Sequence, residues 1–274
     1  MAWGSIGVDN RGVSVSNSLE WTEAQTGQTT KYPLLTRMTL RLIVAGVLGR
    51  PSNFAADARV WASSLAHPIQ CTGDPPSAAG GYVLAVNHYC RPGFPAWWIA
   101  LSVSSLLPMN VHWLMTSTWT YPDAFRSAAL TPLLTRLFRR VAAVYDFTLM
   151  PPMPPQPSQA QRRADSVRRV LKRVEADSRT AIGLAPEGGD FGSGSLTIPP
   201  PGVGRFLSLL GARGLLLQPV GVYEAASRLC VGFGELRPFP ATAGSAAVRD
   251  RAVADFTMQA VADCLPAALR GAYA

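Results

Sequence analysis

The sequence predicts an α/β domain built on a single mixed sheet flanked by helices. Short apolar runs of strand length recur along it, at Tyr82–Val86, Val111–Met115, Thr180–Leu184, Leu215–Val222 and near 229–234. Segments that read as helices separate them, and strands alternating with helices argue a sheet covered on both faces. A chain of 274 residues that is 48% hydrophobic and 15% charged can also bury one large core.

Residues 1–30 are rich in Gly, Ser, Thr, Asn and Gln, which predicts a flexible tail; 31–274 then form the domain. Leu34, Leu35, Met38, Leu42, Val44, Val47 and Leu48 predict an apolar helix that Gly49-Arg50-Pro51 stops. Such a segment packs on the core or lies in a membrane interface. A buried strand over 82–87 ends in the polar pair Asn87-His88. The helix predicted for 95–107 starts at Pro95 and stops at Pro108. Its apolar part, Phe94–Leu107, is shorter than the roughly 20 residues a membrane span needs. That favours a core helix, with a membrane-dipping Trp97-Trp98 pair as the alternative.

The strand-like run at 111–115 precedes a helix near 124–140 and a short apolar run, Val141–Tyr145. The Pro-rich stretch Met150–Pro157 predicts an extended connector. Ser158 is the expected cap of an amphipathic helix with Ala164, Val167, Leu171 and Val174 inward and Arg162, Arg163, Arg169, Lys172 and Arg173 mostly outward. A strand at 180–185 ends before Pro186-Glu187-Gly188-Gly189. A helix at 203–213, the strands at 215–222 and 229–234, and a helix at 245–265 complete the series. Both strands that end in polar residues are expected to share one sheet.

The net charge is +8 with pI near 9.8, and nearly all the basic residues are Arg. That balance suits anionic partners: a membrane surface, a phospholipid or a phosphorylated substrate. Basic residues do not interleave with aromatics in any block, so nucleic acid is not expected. Cys71, Cys90, Cys230 and Cys264 lie far apart and form no metal-binding spacing. No signal-peptide pattern opens the sequence, which predicts a cytoplasmic location, peripheral to the inner face of a membrane.

Polar groups just past strand carboxyl ends are where α/β sheets build sites. His88, in a strand-to-helix turn, is the natural general base; the plainer reading is a His bonded to local backbone. Glu187 organises a pocket or simply accepts backbone N–H groups. Gly188 and Gly189 permit close approach or positive φ. Arg91 and Arg205 are candidate holders of a phosphate, against ordinary surface or ion-paired Arg. Gly192-Ser193-Gly194-Ser195-Leu196 lacks the final Gly of a nucleophile elbow. Cys90, two residues after His88, does not face it on a strand.

In order and spacing, Asn87-His88 and Pro186-Glu187-Gly188 resemble the blocks N-H-x-x-x-x-D and P-E-G-T of the glycerolipid (1-acylglycerol-3-phosphate) acyltransferase family. The resemblance spans roughly residues 80–225. Gly202–Phe206 resembles the family's K-x-G-x-x-x-x-A stretch, and Gln218–Val222 its V-P-V-x-P-V-x-V block. Gly93 stands where the family has Asp, and Gly189 where it has Thr or Ser. Around 142–146, neither the Gly nor the Arg of the second block is present.

The resemblance implies transfer of a fatty acyl group from acyl-CoA or acyl-carrier protein to a hydroxyl of a lipid or phospholipid acceptor. His88 would be the base beside Asn87, with no covalent acyl-enzyme and no cofactor. Asp190, Glu187, Asp146 or a backbone carbonyl is left to orient the His ring in place of the absent Asp. A non-catalytic protein that binds lipid or acyl chains is the alternative.

Overall fold

The computed structural model describes residue 32 and residues 50–77, 80–91, 93–118, 124–153, 155–189 and 194–274. The predicted tail, the helix predicted over 34–48, and Asp190 lie outside these residues.

Seven strands form one sheet: β1 (Gln70–Thr72), β2 (Tyr82–Val86), β3 (Val111–Thr116), β4 (Thr148–Met150), β5 (Ala181–Leu184), β6 (Leu216–Ala225) and β7 (Arg228–Phe233). Their order across the sheet is β1-β7-β6-β2-β5-β3-β4. All neighbouring pairs run parallel except the β6–β7 hairpin, so the sheet is mixed as predicted. β2 and β5 are neighbours, with Tyr82 opposite Ala181. Every residue of β2 and β5 is buried, as expected for parallel strands covered on both faces.

Six helices are described: α1 (Phe54–Ala62), α2 (Trp97–Leu106), α3 (Ala124–Tyr145), α4 (Ala160–Ala176), α5 (Val203–Gly211) and α6 (Ala246–Asp263). Alternate residues of β2 face opposite layers. Leu84 and Val86 pack with α1 and α2, while Val83 and Ala85 pack with the layer of α4, α5 and α6.

α2 belongs to the core. Ser104 Oγ accepts a hydrogen bond from Trp113 Nε1 of β3 at 3.0 Å, and Ser102 donates to the Ile99 carbonyl. The serines that interrupt its apolar run therefore have buried partners. Gly183 lies opposite Trp113 in the β3–β5 register, and a Cβ there would sit 2.5 Å from the indole. The Trp97-Trp98 pair divides: Trp98 is 8% exposed and Trp97 54%. Among the described residues no helix is long and apolar enough to cross a membrane.

Four local readings change. Val141–Tyr145 forms the last turns of α3 rather than a separate run. α1, β1 and β4 were not anticipated; β1 and β4 have three residues each. Ser158 lies in a 3₁₀ turn and α4 begins after Gln159. The inner stripe of α4 is Ser166, Val170 and Val174, because Ser166 donates to the Leu149 carbonyl of β4 at 2.7 Å and so enters the interior without an orphaned hydroxyl.

Candidate functional site

Three strands deliver polar residues to the carboxyl edge of the sheet. β2 ends at Val86, so Asn87 and His88 follow at its tip. β5 ends at Leu184, which places Pro186-Glu187-Gly188 beside them. Val86 pairs with Val220, so β6 runs on past β2 and its last residues flank the 87–91 loop.

Asn87 extends the ladder with its side chain. Its Nδ2 donates to the Val222 carbonyl at 2.8 Å, and its Oδ1 accepts from the Val222 N–H at 2.7 Å. The amide is 1% exposed and is engaged at both ends. It stitches the first residue of the loop to β6.

Glu187 makes the second tie. Oε1 accepts from the His88 backbone N–H at 2.7 Å, and Oε2 accepts from the Thr197 N–H at 2.9 Å and the Thr197 hydroxyl at 3.1 Å. The residue is 2% exposed. Burial pushes its carboxyl above the usual carboxylate range, opposed by the His88 and Thr197 donors and by the nearby His88 imidazole. The backbone-accepting alternative for Glu187 is thus what the geometry contains. Gly188 closes the turn behind it, at φ 76° and with its N–H on the Ala185 carbonyl at 3.1 Å. Gly189 follows, half-buried.

Arg91 makes the third tie. Its Nε and Nη2 grip the two carboxylate oxygens of Glu224 near the end of β6, the second contact at 2.6 Å. Tyr32 and Tyr89 donate their hydroxyls to the same carboxylate at 2.6 and 3.2 Å. Burial and that carboxylate push the Tyr89 phenol up to about 12 and Tyr32 higher still, so both remain donors. Of the two readings for Arg91, the ion pair is realised. Glu224 carries no signal in the sequence, where the predicted strand stops at Val222; three more residues of strand bring it to the same edge.

His88 is half-buried between these ties, with its Nδ1 shielded from solvent. Gly93, where an Asp would complete the family block, has φ 79°; among the described residues a Cβ there would meet Arg91 Nη1, at 3.7 Å. Asp146 does not approach His88. It sits between α3 and β4, at the far end of the sheet order from β2, and pairs with Arg173.

Arg205 lies apart from the knot, exposed in the first turn of α5. The amino end of that helix is already filled: Asp250 accepts from the Gly202 N–H at 2.7 Å and the Arg205 N–H at 2.6 Å. A cavity of about 340 Å³ lies at the opposite edge of the sheet, between the end of α5 and the start of β6, and does not touch His88. Among the described residues no cluster of His, Cys, Asp and Glu is suited to a metal ion.

No known protein family's profile matches this sequence, and no curated protein does. Among solved structures, the chain is similar to the 1-acyl-sn-glycerophosphate (LPA) acyltransferase PlsC from Thermotoga maritima. The identity is 10% and the TM-score 0.45, over 83% of this chain and 82% of that one.

Proposed function

We propose that this chain transfers a fatty acyl group from a thioester, acyl-CoA or acyl-carrier protein, to a hydroxyl of a lipid-type acceptor, with His88 as general base. The observation that carries this reading is the 2.7 Å bond from the His88 N–H to Glu187 Oε1. It joins two sequence blocks nearly a hundred residues apart at one strand edge, and both blocks resemble those of a single acyltransferase family.

With Nδ1 shielded, Nε2 is the nitrogen that would meet the acceptor. It would take the hydroxyl proton as the oxygen attacks the thioester carbonyl. The C–S bond then breaks, and the departing sulfur recovers the proton to leave as thiol. The ring would be positioned through its backbone, because Asn87, Glu187 and Arg91 each fix a point of the loop that carries it. Exposed Arg205 and the turn at Gly188-Gly189 remain the candidates to contact an acceptor headgroup. The reaction asks for no cofactor beyond the thioester co-substrate.

A second reading, a non-catalytic protein that binds lipid or acyl chains, is favoured by one observation. The polar atoms of Asn87 and Glu187 and the guanidinium of Arg91 are all engaged by protein partners. Thiol release from a panel of acyl-CoAs, with lysophospholipid and glycolipid acceptors, separates the two when the native chain is compared with His88→Ala. Acceptor-dependent release that vanishes in the variant is expected. Equal release from both proteins, or none beside saturable lipid binding, replaces the enzyme with the binder.

A further inference from the structure

Among the described residues, three groups beside the carboxyl edge are suited to hold a phosphate, and the protein itself already answers each. Arg91, three residues after His88, gives its Nε and Nη2 to the two oxygens of Glu224, and Tyr32 and Tyr89 donate to the same carboxylate. The side chains of Arg91 and Glu224 are only 18 and 10% exposed. Arg163 gives its Nη2 to the carbonyls of Pro151 and Pro152 at 3.3 and 3.1 Å. That connector lies on the Gly188 turn, where a Cβ would sit 3.0 Å from Met153 Cγ. At the amino end of α5, Asp250 takes the Gly202 and Arg205 N–H groups that would otherwise receive an anion.

The knot around His88 therefore offers no spare cation. Arg91 is the cation of the loop; it stands against Glu224, and the buried carboxyl of Glu187 bonds the same loop. A phosphomonoester brought to His88 would meet both carboxylates. Drawing Arg91 away would strand Glu224, nearly buried, without its cation. Leaving the pair intact would strip water from the phosphate with no uncommitted charge of the loop to replace it. An uncharged hydroxyl compound incurs neither cost.

We propose that the acceptor is an uncharged hydroxyl compound, a glyceride or glycoside without phosphate, and that Glu224 sets this preference by neutralising Arg91. The inference rests on the acyl-transfer reading and narrows it. Glu224 is a positioning residue here: it acts through Arg91 rather than on the reacting atoms. The two tyrosine hydroxyls keep its carboxylate turned to the guanidinium, so the pair presents no net charge to an incoming headgroup. The site selects its acceptor by what it refuses as well as by what it holds.

Thiol release from acyl-CoA by the full chain tests it, with two acceptors that differ only in the phosphate: monooleoylglycerol and its phosphate ester, lysophosphatidic acid. Both are presented in the same nonionic micelles, and an alkyl glucoside as third acceptor separates glyceride from glycoside. The parent should favour the uncharged acceptors by about tenfold or more in kcat/KM. Glu224→Gln should move that ratio about tenfold toward the phosphate ester, whatever it does to turnover, because it frees Arg91 of the opposing charge. Glu224→Asp loosens the same loop but keeps the charge, and should hold the parent's ratio; a merely structural role would move neither ratio. The comparison of acceptors on the parent needs no variant to fold. A parent that uses the phosphate ester as well or better overturns this inference and leaves acyl transfer in place. So does a ratio that stays fixed in Glu224→Gln, or that moves as far in Glu224→Asp. No acceptor-dependent release with any of the three removes the acyl-transfer reading and this inference with it.

Discussion

The centre of the sheet and its β3–β4 edge hold their polar side chains in opposite ways. At the centre, Asn87 and Glu187 together make five hydrogen bonds to Val222, His88 and Thr197, four of them to backbone. The loops at the tips of β2 and β5 are cross-tied by these side chains rather than by ladder. At the edge, buried His112 has one partner across to β4, the Thr148 hydroxyl at 2.8 Å, and Asp146 meets Arg173 where both are substantially exposed. α3, which leads into β4, packs one half-buried face and leaves Leu130, Leu133 and Leu137 exposed on another. Dense polar ties give a loop one geometry, which a reacting imidazole needs. A lightly held edge gives the surface its apolar and cationic side chains instead.

Removing the central tie should have the largest effect. Glu187→Ala deletes three accepted bonds and leaves the His88 and Thr197 N–H groups facing a void, at a cost of about 4 kcal/mol. The urea midpoint should fall accordingly, and thiol release, if the proposed reaction holds, should fall with it. A variant as stable as the parent would show that the loops at the tips of β2 and β5 are held by something other than this carboxylate.

The edge should lose stability in acid, opposite in sign to the raised carboxyl of Glu187 at the centre, which protonates first in the folded chain. Burial lowers the imidazole of His112 to about 4; the charges of Arg173 and Arg169 add to the shift, and Asp146 opposes it. The unfolded chain therefore binds this proton first as pH falls. The neutral ring's contribution is complete above about pH 6.5 and is lost between there and about pH 4, a cost of roughly 3 kcal/mol. Unfolding free energies measured across that range should slope downward with acid in the parent. His112→Gln should flatten the slope while giving up some stability at neutral pH. An identical slope in both proteins would move the acid sensitivity elsewhere.

The contrast also explains what the sequence could disclose. β2 and β5 were legible because central parallel strands are apolar throughout, and the two motifs announce themselves as polar residues after such runs. The partners were not. Arg91 and Glu224 are 133 residues apart, and nothing local marks them as a pair. Asn87 invited a chemical role because a polar residue at a strand tip looks the same in sequence whether it faces a substrate or completes a ladder. At the edge, β4 has only three residues, too few for any periodicity. The end of α3 contains Val141, Ala142, Ala143 and Val144, whose β-branched content hides its helical phase. The bare face of α3 was unreadable for a further reason: apolar spacing in a helix implies a covered stripe, and only the packed structure shows that nothing described covers this one.

Glu224→Gln should have a smaller effect than either change above, about 2 kcal/mol. It weakens a partly solvated ion pair but leaves the tyrosine hydroxyls an acceptor. Its use lies in the loop it loosens. If Arg91 and Glu224 help position His88, thiol release should drop more than stability does, and the loss should fall on kcat rather than KM. Arg91→Lys, which keeps the charge and loses the two-pronged grip, should repeat the pattern. Unchanged turnover in both variants would leave Asn87 and Glu187 as the ties that matter.

The smallest effect is expected on α3. Leu133→Ser removes a side chain that is 60% exposed and should change stability by less than about 0.5 kcal/mol. The near-null result would show that Leu133 is not part of the packing that holds the edge. A loss of about 2 kcal/mol or more would instead mean that Leu133 is covered within the folded chain. The contrast between a tied centre and a bare edge would then fail at the edge.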